Sequence, residues 1–216
     1  MPDPGTARGA EIAALGDDAR ERLEATHKAR EEALARCRET IRLCGMAIRA
    51  VHRLQSDDAE RLVSDAEAAL RRAQEALEPF RALAAAGFLH DAEKEFVEAR
   101  LTVSLVAGTK LVDASELGVG LPAWLNGLAE AASELRRHLL DRLRGGELER
   151  GEQLLEAMED VYDMLVTVDY PDAITGGLRR TTDALRAVLE RSRSDVTTTV
   201  LQAGLRKAIE SRERPA

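Results

Sequence analysis

Aromatic side chains are nearly missing from this sequence of 216 residues: phenylalanine, tyrosine and tryptophan together make up 3%. A β-sheet core draws on such residues and on alternating β-branched runs, and those runs are missing too. Only two cysteines occur, Cys37 and Cys44. On a helix they share one face, but they lie too far along the axis to bond each other. They read as small apolar core residues of a reducing compartment. No cysteine and histidine cluster has zinc-ligand spacing. No apolar stretch reaches the roughly 18 residues that span a bilayer. The opening Met1-Pro2-Asp3-Pro4-Gly5 lacks an apolar signal core. Together these absences predict a soluble, cytoplasmic protein with no membrane partner. A formal net charge of −8 removes the broad basic field that indiscriminate nucleic-acid binding needs. It leaves room for a local basic surface.

What is abundant is alanine, leucine, glutamate and arginine, with 44% hydrophobic and 32% charged residues. That mixture favours long helices. Residues 1–10 are rich in proline and glycine and read as a flexible extension. From Glu11 to Arg53 one long helical pattern runs, with a seam of Leu34, Cys37, Ile41, Cys44, Ile48 and Val51 at spacings of three and four. Ser56, followed by Asp57 and Asp58, reads as the N-cap of a second helix. Its buried side is Leu62, Ala66, Leu70, Ala73, Leu77 and Phe80. A third helix ends near Gly108, and the segment 118–122 reads as a loop. A fourth runs from about Ala123 to Arg144 and stops at Gly145-Gly146. A fifth uses Leu154, Met158, Val161 and Leu165, and a last one follows Gly176-Gly177. Short connections between them predict an all-α antiparallel bundle of about six to seven helices. Residues 11–216 form a single domain in this reading.

Three constellations could carry chemistry. The first is in Lys94-Glu95-Phe96-Val97-Glu98-Ala99. At i and i+3, Glu95 and Glu98 leave one helix face about a turn apart, on the stripe that also carries Thr102, Leu105 and Val106. Carboxylates beside apolar side chains need a cation, a hydrogen-bond donor or a metal ion; arginines capping a surface pair would equally satisfy them. The second is on the fourth helix. Its core stripe is Leu125, Leu128, Ala132, Leu135, Leu139 and Leu143, and Glu130 and Glu134 stand on the opposite side with Arg137 and Asp141. That row is either a solvated face of i, i+4 ion pairs or a further pair of carboxylates facing a cavity. Three or four convergent carboxylates suit a hard divalent cation such as magnesium. The third is the basic row Arg38, Arg42, Arg49 and Arg53, with His52 alongside and Gly45 in its middle. It is either a phosphate track or an exposed face paired with acids of a neighbour. His27, His90 and His138 show no partner pattern and read as surface or structural residues. With few aromatics for base stacking, any nucleic-acid affinity should be mainly electrostatic.

From about His27 to Leu205 the chain resembles the translin family, which comprises translin and translin-associated factor X. Four stretches carry the resemblance. Arg30-Glu31-Glu32 through Arg38, Ile41, Ile48, Val51 and His52 is similar to the family's first helix. Glu95-Phe96-Val97-Glu98-Ala99 resembles the acidic motif of the factor X branch. Leu125-Asn126-Gly127-Leu128-Ala129-Glu130 with Ser133-Glu134-Leu135-Arg136-Arg137 resembles the helix that carries two further acids. Met158 to Tyr162, then Leu178-Arg179-Arg180 and Asp183, resemble the C-terminal part. The resemblance implies an all-α fold of about seven helices that closes into shells, often octameric. It implies homo-oligomers, or assembly with a second translin-family subunit, and binding of single-stranded RNA or DNA. In the factor X branch it implies an Mg2+- (or Mn2+-) dependent endoribonuclease whose metal-site acids fall on Glu95, Glu98, Glu130 and Glu134. Glu95, Glu98 and Glu130 would then be the catalytic set, and Arg38, Arg42, Arg49, His52 and Arg53 the nucleic-acid contacts. The chain departs from the pattern at three places: Glu130 stands for the family's aspartate, Trp124 for its tyrosine and Ser133 for its glycine. The alternative it implies is a non-catalytic RNA- and DNA-binding scaffold, as in translin proper. A helical oligomer that binds neither nucleic acid nor metal is the third reading, which the net charge of −8 keeps open.

Overall fold

Small side chains set how the helices meet. The structure, a computed structural model, describes residues 4–85 and 87–213. Among these there are no strands, six long helices and three of a single turn. The long ones are α1 (Pro4–His52), α2 (Ser56–Leu77), α4 (Phe88–Ala107), α6 (Leu121–Arg144), α7 (Leu148–Val166) and α9 (Leu178–Glu213). The short ones are α3 (Arg81–Ala84), α5 (Ala114–Leu117) and α8 (Asp172–Thr175). The segment 4–10, expected to be a flexible extension, is the start of α1, and residues 1–3 lie outside the described residues.

The inner half of α1 buries Ala33, Cys37, Thr40, Cys44, Ala47 and Ala50 against α2 and α4. Of the expected seam, Cys37, Cys44 and Val51 are buried, but alongside them packing selects Ala33, Thr40, Ala47 and Ala50, and Ile41 is left 37% exposed. Alanine contributes no long side chain, so the backbones come close, and the neighbouring helices supply the volume through Leu62, Leu70, Leu77 and Phe96. The chain reverses between α1 and α2 through Leu54, whose φ of 61° is left-handed and costs about 1–2 kcal/mol for a residue with a Cβ. Ser56 does not act as the N-cap. Gln55 holds that position with no side-chain bond, and Ser56 is the first helical residue.

α4 is shared by two cores. Ala92, Phe96, Ala99 and Val103 face α1 and α2. Val97 and Leu101 face α6, where Leu125, Leu128 and Ala132 meet them. A third cluster, Leu135, Leu139, Leu154, Met158 and Leu189, joins the far halves of α6, α7 and α9. Gly108, at φ 68°, ends α4 in a left-handed C-cap. Asp113 then opens α5 with a capping box that closes on Glu116. Polar ties fix where α6 begins: Gln74 Nε2 and the Gly120 N–H both donate to the buried Glu93, at 2.9 and 3.1 Å. Asn126 Nδ2 donates to the Thr175 carbonyl at 2.8 Å, and Thr181 Oγ1 donates to Asn126 Oδ1 at 2.6 Å. No helix among the described residues is long and apolar enough to cross a membrane.

Candidate metal centre

α4 and α6 come into close contact at Gly127. A Cβ placed there would lie 2.7 Å from the Lys94 carbonyl oxygen and 2.7 Å from Val97 Cβ. Only glycine lets the two backbones come this near. The contact sets the acidic segment of α4 beside the row of glutamates on α6. Glu95, Glu98 and Glu130 each present a carboxylate oxygen, all within 4.8 Å of one another, and all three are half-buried. The two pairs read separately from the sequence thus converge in part, with three of the four acids in one cluster.

The fourth acid, Glu134, accepts from or donates to no neighbour on its own helix. Its Oε2 is 2.8 Å from His52 Nε2, which comes from the end of α1. His52 was expected alongside the basic row as a nucleic-acid contact. In the structure its largely buried ring lies against Glu134, while its neighbours Ala50 and Val51 in the last turn of α1 are buried in the core. His52 Nδ1 is buried without a partner. The solvated-face reading of Glu130 and Glu134 fails in detail: their partners are Lys94 and His52 on other helices, not Arg137 or Asp141.

Lys94 is the one cation inside the cluster. Its Nζ donates to both oxygens of Glu130, at 2.8 and 2.6 Å, and lies 3.5 Å from Glu95 Oε1. Burial works against the ammonium, yet the bond to Glu130 and the charges of Glu130, Glu95 and Glu98 leave its pKa above the ordinary lysine value. One cation does not balance the site. Glu98 is pushed up to about 8, first by burial and then by the charges of Glu130, Glu95 and Glu134, with Lys94 only partly opposing them. Below it on α1, Cys44 is pushed far above the ordinary thiol range by burial and by Glu95 and Glu98, so it is an inert core thiol. Cys37 is likewise raised, to about 11, chiefly by burial. The donor set fits a hard divalent cation: three half-buried carboxylates from two helices, with ligand oxygens that converge.

Arg38, Arg42, Arg49 and Arg53 are all exposed. None of them pairs with a carboxylate among the described residues. An added Cβ at Gly45 would meet only the Arg49 guanidinium, at 3.4 Å, so the gap at this glycine is covered by the basic row itself. The row leads along α1 to His52, and so to the edge of the acidic cluster. Of the other histidines, His138 is buried and its pKa is lowered by burial and then by Arg142 and Arg150. Sequence reasoning missed Lys94 as a functional residue and Glu93 as a structural one. For Lys94 the sequence held a partial signal, since it stands at i, i+4 to Glu98, but its main partner, Glu130, lies 36 residues away.

No protein-family model matches the chain. Over 183 residues it is 31% identical to an uncharacterized protein of Methanocaldococcus jannaschii, MJ0175, spanning 82% of this chain and 79% of that one. AfC3PO, solved in complex with duplex RNA, superposes with a TM-score of 0.76 at 32% identity, covering 86% of this chain and 96% of its own. AfC3PO alone gives 0.75 at the same identity, over 86% of this chain and 97% of its own. The chain belongs to the translin family. The crystal structure of apo-NeC3PO shares the fold, with a TM-score of 0.76 at 18% identity over 85% of this chain and 96% of its own. The four acids of this translin-family protein therefore sit on a translin-like all-α scaffold, on α4 and α6.

Proposed function

We propose that this translin-family protein binds RNA and cleaves it as an endoribonuclease with a divalent cation, Mg2+ or Mn2+. Glu95, Glu98 and Glu130 would hold the cation, with Glu134 beside them. The observation that carries this reading is the convergence of those three carboxylates within 4.8 Å. When bound, the cation supplies Lewis-acid charge for a phosphodiester and lowers the pKa of a water molecule. The chain's own residues do the rest. Glu98, whose pKa is raised to about 8 by burial and the neighbouring acids, would hold the cation as a carboxylate. His52 fixes the orientation of Glu134. Arg38, Arg42, Arg49 and Arg53 hold phosphates along α1 and lead the strand toward the cluster. The same four acids favour the factor X branch over translin proper.

RNA as the ligand is supported by AfC3PO, whose complex holds duplex RNA; the motif resemblance favours single strands, RNA or DNA. Assembly as a homo-oligomeric shell, or with a second translin-family subunit, belongs to the same reading. One observation favours the alternative of a non-catalytic scaffold. Lys94 already neutralises Glu130, as a site that never takes a metal would require.

One assay separates these readings, using labelled single-stranded and duplex RNA with Mg2+, Mn2+ or EDTA. Glu98→Gln should lower cleavage on the order of a hundredfold or more and leave RNA retention on filters nearly unchanged. Arg42→Glu combined with Arg49→Glu should weaken retention for all sequences, and wild-type retention should fall steeply with salt. Cleavage that persists in EDTA, or that Glu98→Gln leaves untouched, defeats the nuclease reading. Retention without metal-dependent cleavage promotes the scaffold.

A further inference from the structure

The side chain that stands where added positive charge belongs is Lys94. Its ammonium takes both oxygens of Glu130 and approaches Glu95. Its stem leaves α4 at the point where Gly127 lets the Lys94 backbone touch α6. A lysine this short of room, with only 22% of its side chain exposed, is not a surface residue that happens to reach an acid. Glu130 has no other ion-pair partner among the described residues.

We infer that Lys94 is a built-in counter-cation that competes with the divalent ion for Glu130 and sets how much metal the site requires. This inference rests on the reading of Glu95, Glu98 and Glu130 as metal ligands. The competition follows from charge and geometry. An ammonium bonded to both oxygens of a carboxylate fills one lone pair on each and puts a positive charge where a second cation would approach. Two cations on one carboxylate also repel each other in a half-buried site, where water screens them poorly. The ion and Lys94 therefore oppose each other at Glu130. Lysine suits an exchangeable role, because its flexible stem lets the ammonium swing to solvent, whereas arginine's rigid fork would hold the carboxylate at two points. Without metal, Lys94 spares the bundle a wholly unbalanced group of acids. With metal, that service is redundant. The metal-free fold is stabilised at the expense of metal affinity.

The test is Mn2+ binding to the purified full chain, followed by electron paramagnetic resonance of the free ion, with melting temperatures taken in EDTA and in Mn2+. Lys94→Met removes the charge and keeps the length. It should bind Mn2+ about tenfold more tightly or better, a gain of about 1.4 kcal/mol. It should melt lower than wild type in EDTA and gain more on adding Mn2+. Lys94→Arg preserves the clamp and the fold, and should bind Mn2+ more weakly than wild type. Equal or weaker Mn2+ binding by Lys94→Met overturns the inference while leaving the metal site standing. If neither wild type nor either variant binds Mn2+, the metal reading falls and the inference with it. A Lys94 that only holds helices together would lower both melting temperatures alike and leave the Mn2+ affinity unchanged.

Discussion

At Glu98 the chain keeps a carboxyl group where burial and three like charges oppose its ionisation, which moves its pKa from 4.5 to about 8. The pH dependence has a definite sign. Below about pH 4.5 the group is protonated in both the folded and the unfolded chain and costs nothing. Between about 4.5 and 8 the unfolded chain releases the proton and the folded chain retains it, so stability falls as pH rises. Above about 8 the loss is complete. Glu98→Gln lacks this dependence. In EDTA the variant should therefore gain on wild type between pH 5 and pH 8, reaching on the order of a few kcal/mol. Urea midpoints of both proteins at the two pH values measure the difference. A variant no more stable at pH 8 than at pH 5, relative to wild type, would show that Glu98 is ionised in the folded protein. The charge of Glu95 was legible in the sequence, since Glu95 and Glu98 share a helix face; the size of the shift was not, because it depends first on burial between helices and then on Glu130 and Glu134 of α6.

The helices are where the site's dimensions are decided. α4 was readable as an element from its i, i+3 acids and its αL glycine stop, and α6 from its leucine stripe and Gly145-Gly146. Their distance apart was not readable, because it depends on Gly127 facing the Lys94 carbonyl. Gly127→Ala should force α4 and α6 apart, since the obstacle is backbone that cannot rotate out of the way. Overpacking of this kind costs roughly 1–3 kcal/mol. It should also weaken Mn2+ binding by separating Glu130 from Glu95 and Glu98. Denaturant midpoints and Mn2+ titration of the variant test both effects. Unchanged stability with unchanged Mn2+ affinity would mean that the close approach is not what positions the acids. The same dependence on facing helices explains why only part of the expected seam on α1 is buried. The leucine- and isoleucine-weighted reading chose Ile41, whereas packing selected the alanines that let α2 and α4 come close.

On the scale of the molecule, the two longest helices run past the bundle. Ile12, Leu15 and Leu23 on α1 and Leu201, Leu205 and Ile209 on α9 are exposed, Leu23 by 68% and Leu201 by 69%. A projecting helix gains little from its own hydrogen bonds, since most helical stability in proteins comes from packing an apolar face. If the chain assembles as proposed, these arms are covered by neighbouring copies. Light scattering should then give a mass that is a multiple of 23.6 kDa at micromolar concentration. Leu201→Glu with Leu205→Glu should lower it. A monomeric wild type would count against the shell.

The sequence by itself determined the six long helices, their order and the identity of the acids. Those follow from local rules: periodicity along one strand of chain, glycine stops, and which side chains can carry charge. It also determined that Glu95 with Glu98, and Glu130 with Glu134, each share a helix face. Only the tertiary structure decided that three of these four acids meet, that His52 turns to Glu134 and that Lys94 closes on Glu130. Those are contacts between helices far apart in the chain, set by the depth to which Gly127 and the alanine seams allow backbones to approach. Spacing within one helix carries no information about that distance.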